Sequence, residues 1–388
     1  MDKDKRIKGV NLGGWLLMED YNLGGRNIAE SRFKRDFKKE YGEKGLRDFT
    51  RLFRDNFIRE EDFKNISLMG ANALRVPFNF RLIEPGKPFV YSEEGFSYLE
   101  KVLSWGKKYN LGIILDLHAA CGAQNCDWHG DSLGPALFWD KESYRERTCC
   151  LWERIAERFK DAPALIGYDL LNEPVIGKRS QEILVKFYRQ AIKRVKAVDK
   201  KHLLFLEGNN WAQEVESLRD LLEENISISI HTYAPLEYTF NFTPFYKFPG
   251  IINGIRWDSR MAIDYLRRYA EFSAKNKVRI FVGEFGINWR GGFWGELEWL
   301  ESILKAFREF GFDYTYWTYK AISQHAFPDG IYQYIQNNDY IKRQGELFGW
   351  ENYLKAWKGE KGKIVEFWRT KNYTPNRQII SVLKKYFK

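Results

Sequence analysis

Cysteine is scarce in this chain, with four in 388 residues at Cys121, Cys126, Cys149 and Cys150. That is too few for a disulfide scaffold at this length, and it is compatible with a reducing compartment. Long apolar runs are missing too, and a mean hydropathy of -0.52 excludes both a membrane-spanning bundle and, beside 44% hydrophobic residues, an unfolded chain. No stretch rich in proline and serine reads as a linker, so one domain over residues 1–388 is expected. No G-x-G-x-x-G follows an early apolar run, which disfavours a dinucleotide-binding sheet. The start, Met1-Asp2-Lys3-Asp4-Lys5-Arg6, has no apolar segment behind it and lacks the layout of a secretory signal, so a cytoplasmic protein is expected.

What the chain has in excess is aromatic: 14 Trp, 22 Tyr and 29 Phe make 17% of it. Flat rings with polar edges suit the walls of sugar-binding clefts. The net charge of +10 is lopsided, because Lys355 to Lys388 holds ten basic and two acidic residues. A basic terminal stretch of that kind reads as a solvated face, so neither a nucleic acid nor a membrane is expected as a partner.

Eight short apolar or β-branched runs recur, each followed by an amphipathic stretch: 7–12, 73–76, 113–117, 166–171, 203–206, 226–230, 279–282 and 314–318. Nearly continuous apolar runs fit parallel strands buried on both faces. Helices are expected over 60–69, 94–108, 143–159, 181–198, 212–222, 256–275 and 296–310. This alternation predicts an α/β fold, a (β/α)8 barrel, with an open doubly wound sheet as the rival. A barrel needs about 250 residues, so roughly 140 belong to insertions. These are placed at 13–57, 119–142, 232–255 and beyond Lys320, the first three on the carboxyl-terminal face where barrel active sites lie.

The residues that end these runs are polar: Arg75, His118, Asn172-Glu173-Pro174, His231, Tyr233, Glu284 and Trp317. Burying several ionisable groups separately is costly, so a common cluster is expected. Glu173 and Glu284 would face each other across the barrel mouth, the pair that glycoside cleavage uses as acid and nucleophile. Different neighbours would separate their ionisation, with Asn172 donating a hydrogen bond beside Glu173, and Arg75 and Tyr233 keeping Glu284 charged.

Leu171-Asn172-Glu173-Pro174 and Gly283-Glu284-Phe285-Gly286 resemble the acid/base and nucleophile signatures of glycoside hydrolase family 5, retaining (β/α)8 enzymes acting on β-linked sugars. Arg75, His118, Asn172, His231, Tyr233 and Trp317 match the family's other active-site positions, and the resemblance spans nearly the whole barrel. Within the family, 9–19 and 118–125 resemble the exo-β-1,3-glucanase branch, where residues matching Glu19 and Asn125 help to hold the terminal glucose. The loop Cys126-Asp127-Trp128-His129 departs from that branch. The resemblance implies an exo-type β-glucosidase or glucanase that takes a β-linked oligosaccharide or glucoside and needs no cofactor or metal. An endo-β-1,4-glucanase or mannanase with the same pair is the alternative, and a non-catalytic carbohydrate-binding barrel is the alternative from another class. The Cys121-x4-Cys126-x2-His129 group has poor spacing for a zinc site and reads better as a packed loop with free thiols or one disulfide. The aromatic run from Tyr238 to Phe248 reads equally as the core of an insertion or as a sugar platform.

Overall fold

In the computed structural model, which describes residues 6–25, 27–323, 325–334 and 349–388, eight parallel strands close into a barrel. They are β1 (Lys8–Asn11), β2 (Ala73–Asn79), β3 (Gly112–Ala119), β4 (Leu165–Asp169), β5 (Leu203–Glu207), β6 (Ile226–His231), β7 (Arg279–Phe285) and β8 (Asp313–Tyr316). Closure is made by β1, which pairs Val10 with Tyr316 of β8 and Asn11 with Arg75 of β2. Strands β2 and β3 are buried at every residue, as helices on the outside and side chains on the inside require. All eight runs read from the sequence are strands; the charged start, residues 1–5, lies outside the described residues.

Helices α1 (Glu30–Phe57), α2 (Glu60–Leu68), α3 (Glu93–Lys108), α4 (Glu142–Phe159), α5 (Glu182–Val198), α6 (Ser259–Asn276) and α7 (Glu296–Phe310) surround the barrel. Two expectations need correction. Over 212–222 there is a short turn, Asn209–Ala212, and a 3-10 segment, Glu216–Leu221, because Asn210, Trp211 and Ala212 take left-handed backbone that no helix continues. Helix α6 begins later than predicted, since Ile255–Trp257 pairs with Gly250–Ile252 as a hairpin and Asp258 caps the helix by accepting from Arg260 N and Met261 N.

The insertions are more ordered than loops. Helix α1 occupies much of 13–57, broken at Gly42 (φ 70°, ψ 177°), a conformation that only glycine adopts cheaply. The tail forms α8 (Trp350–Phe367) and α9 (Arg377–Phe387); residues 335–348 of that stretch lie outside the described set. Trp350 of α8 stacks on Phe33 of α1 at 4.7 Å, and Trp357 meets Phe49 edge to face at 4.8 Å, while Lys355 and Lys358 are exposed and Lys361 pairs with Asp48 of α1. So the basic stretch is amphipathic, and part of the aromatic excess is spent here rather than in a cleft. Lys320 ties these layers: its buried ammonium donates to the carbonyls of Phe57 and Trp368 and to Thr370 Oγ1, and burial pushes it down to about 8. Among the described residues no helix is long and apolar enough to cross a membrane.

Candidate active site

The site is built on one buried cation. Arg75 leaves β2 toward the barrel axis with no solvent exposure. Its Nη1 donates to Glu284 Oε1 (2.7 Å) and Asn11 Oδ1 (3.2 Å), its Nε to Asp169 Oδ2 (2.9 Å), and its Nη2 to Asn172 Oδ1 (2.8 Å) and Glu207 Oε1 (3.1 Å). Asp116 Oδ2 lies 3.2 Å from Nη2. Four carboxylates thus surround one guanidinium, and burial of so much like charge forces protonation on some. Burial, with Glu207 as neighbour, holds the Asp169 carboxyl well above its usual range, and burial raises Asp116 to about 7. Glu207 goes the other way, down to about 2, because the charges of His231 and Arg75 outweigh its burial.

Register sets the two glutamates. Between β6 and β7, Ile230 pairs with Val282 and then His231 with Glu284, a one-residue shift that places imidazole and carboxylate side by side. Gly283 is required there, since a Cβ would meet His231 Nε2 and Ser229 Oγ at 2.9 Å. Glu284 Oε2 accepts from the Tyr233 hydroxyl (2.9 Å). Glu173 stands at φ 47°, left-handed and strained for a residue with a Cβ. It is pinned by its own N–H to Glu207 Oε2 (2.6 Å) and by Asn125 Nδ2 donating to its carbonyl (3.0 Å). His231 Nδ1 joins the pair, 2.7 Å from Glu173 Oε1 and 3.6 Å from Glu284 Oε2, with Nε2 at 3.1 Å from Glu207 Oε1. Burial alone would lower this imidazole, but Glu207 and Glu284 raise it well above its usual value. Glu173 is raised by burial and pulled below its ordinary value by His231 first and His129 second.

Above this floor opens a cavity of about 520 Å³. His118, whose Nδ1 sits 2.7 Å from Asp116 Oδ2, is driven down to about 3 by burial and is neutral. It stacks on Trp317 at 5.4 Å, and Trp317 Nε1 donates to the Tyr21 hydroxyl. Glu19 lines the same end, its carboxyl raised well above the usual range by burial. Tyr21, Trp128 and Phe327 meet one another at centroid distances of 5.5, 6.1 and 5.3 Å, joining the loops after β1, β3 and β8.

Of the residues predicted from sequence, Glu19, His118, Glu173, His231, Tyr233, Glu284 and Trp317 line the cavity. Arg75 lies beneath it. Asn172 is a neighbour of Arg75 but accepts rather than donates there. Asn125 is corrected: it is fully buried and shapes the loop, accepting from Asp127 N (3.0 Å) and holding Glu173, with no face on the cavity. Glu207, Asp116 and Asp169 were missed, although Glu207 ends the fifth apolar run directly before Gly208, the same position that marks the other strand-end groups. Tyr21, Trp128, His129 and Phe327 were missed because loops carry no periodicity to read. Cys121 is buried, Cys126 exposed, and the two are unpaired. The aromatic run divides: Tyr238 and Phe248 are buried, while Phe240 and Phe242 face the cavity. Ligand atoms of Glu173, His231 and Glu284 lie within 4.8 Å of one another, a cluster that could hold a cation. Both carboxylates in it already have protein hydrogen-bond partners.

A parallel eight-stranded barrel with two glutamates and a bridging imidazole at its carboxyl-terminal mouth defines a class, the (β/α)8 glycoside hydrolases. The family model for cellulases (glycosyl hydrolase family 5) matches residues 37–323, and the chain belongs to glycoside hydrolase family 5, hydrolases of O-glycosyl bonds. It is 32% identical over 241 residues to a β-xylosidase of Phanerodontia chrysosporium, covering 60% of this chain and half the length of that protein. It is 26% identical over 344 residues to endoglucanase C of Acetivibrio thermocellus, covering 80% and 90%. With a probable glucan 1,3-beta-glucosidase A of Emericella nidulans it shares 29% over 251 residues, covering 60% and 58%.

Proposed function

We propose that this chain is a retaining β-glycoside hydrolase that works from the non-reducing end of β-glucosides and short β-glucans, releasing glucose, with the barrel and its terminal helices acting as one catalytic domain. Glu284 attacks the anomeric carbon, its two oxygens aligned by Arg75 Nη1 and the Tyr233 hydroxyl. Glu173 protonates the leaving oxygen and afterwards takes a proton from the incoming water. One oxygen of Glu173 and one of Glu284 lie within 4.8 Å of each other, a close approach that supports double displacement, since the carboxyl groups of retaining pairs stand about 5 to 5.5 Å apart and those of inverting pairs roughly 6.5 to 9.5 Å.

The observation that carries the exo reading is the aromatic closure of Tyr21, Trp128 and Phe327 beside Glu19. Such a wall can stop a chain from running past a terminal sugar, and the Glu19 carboxyl beside it can hydrogen-bond that sugar's hydroxyl. The endo-glucanase reading is favoured by the other end, where Trp211, Leu236 and Phe242 are partly exposed, and by the likeness to endoglucanase C over 80% of this chain. NMR of the first-formed anomer with product analysis on β-1,3- and β-1,4-glucans tests both. The expected result is β-glucose with little early fall in viscosity; an α-product, or rapid thinning with little free glucose, overturns the proposal.

A further inference from the structure

Of the loop that carries Cys121, Cys126 and His129, the histidine reaches the cavity. His129 Nε2 lies 3.5 Å from Glu173 Oε2 and 3.6 Å from Asp127 Oδ2, with its side chain 15% exposed. Asp127 is itself fixed from across the mouth, its Oδ2 accepting from Trp211 Nε1 at 2.8 Å. The two oxygens of Glu173 therefore face two different imidazoles, His231 at Oε1 and His129 at Oε2. His231 engages Oε1, which leaves Oε2 to carry the proton that the leaving group receives.

We propose that His129, held by Asp127 and Trp211, is a positioning residue for the acid/base: it faces the proton-bearing oxygen of Glu173 and sets the pH above which that proton is lost. This rests on the reading of Glu173 as acid/base. The titratable groups facing His129 are Asp127 on its own loop, Glu173 after β4, Glu19 after β1 and His118 of β3; His231, Glu207 and Glu284 lie behind Glu173. Burial opposes protonation of His129, but Asp127, Glu173 and Glu19 raise it to about 9, so it is an imidazolium through the neutral range. A cation there favours the Glu173 carboxylate and lowers the pH at which the acid is lost. Removing the cation must move that loss upward.

The test is the pH dependence of kcat/KM for the full chain, His129→Gln and Asp127→Asn, on an alkyl β-glycoside and on a dinitrophenyl β-glycoside. With the alkyl substrate the alkaline limb should move up by about one pH unit in His129→Gln. Asp127→Asn, which weakens the imidazolium, should move it in the same direction by less. With the dinitrophenyl substrate, whose departure needs no proton, neither variant should move the limb. An alkaline limb that stays in place, or moves equally for both substrates, overturns the proposal. If His129→Gln does not fold, the direction of the Asp127→Asn shift decides. Failure of the underlying reading is seen separately, as full alkyl-glycoside activity in Glu173→Ala.

Discussion

The floor of the site and its walls are made differently. The floor is carried by strands: Arg75, Glu207, His231 and Glu284 are held by backbone register and by charge, almost out of reach of water. The walls are carried by loops: Tyr21, Trp128 and Phe327 meet through their rings, and Trp211 is tied to Asp127 by one hydrogen bond. In the floor one displaced group unbalances four carboxylates around one guanidinium, whereas a wall residue can be replaced at the cost of its own contacts. On the proposed function, chemistry falls to the rigid part and substrate choice to the replaceable part.

If that division holds, floor variants abolish turnover of every substrate and wall variants redistribute it. The largest effect is expected from Glu284→Gln, which removes the carboxylate proposed to attack and should lower kcat by roughly 10⁴-fold or more on all substrates. Comparable loss from a wall residue would break the comparison. Glu173→Ala should cost about 10² to 10⁴-fold on alkyl glycosides and far less on dinitrophenyl glycosides, with azide restoring turnover and yielding a β-glycosyl azide. Equal losses on both substrates would contradict its role.

Glu19 stands where floor meets wall. Glu19→Ala removes the proposed buried partner for a sugar hydroxyl, and a loss of about 1.4 to 2.7 kcal/mol, or roughly ten- to a hundredfold in kcat/KM on short glucosides, is expected. A silent variant would mean an open cleft. The smallest effect on rate belongs to Phe327→Ala, which opens the closure with Tyr21 and Trp128. Aryl glucoside hydrolysis should change less than about tenfold, while the ratio of oligosaccharide to glucose released from a soluble glucan rises. An unchanged ratio would place the exo boundary elsewhere.

The same contrast explains what was legible. Strand periodicity and the polar residues ending each run located the barrel and six of the cavity residues, with Glu19 supplied by the family resemblance, because a parallel strand must be apolar along its buried length and can afford polar groups only at its mouth. Glu207 obeys that rule too and was readable. Asn125 was misplaced because a motif match gives order along the chain but no direction for the side chain; folded, its amide turns inward to hold the backbone of Glu173. The helices of 30–57 and 350–367 were hidden because each buries only a narrow aromatic seam, Phe33, Phe37 and Phe49 against Trp350 and Trp357, within stretches dense in lysine and arginine.

By itself, then, the sequence determined the barrel and the pair of glutamates at its mouth, since both follow from local pattern: period, burial and short motifs. Only the tertiary structure decided which loops close the cavity, that Arg75 serves four carboxylates at once, and that His129 meets Glu173 across 44 positions of chain. Those are contacts between segments whose sequences constrain one another only after the barrel has brought their ends to one face.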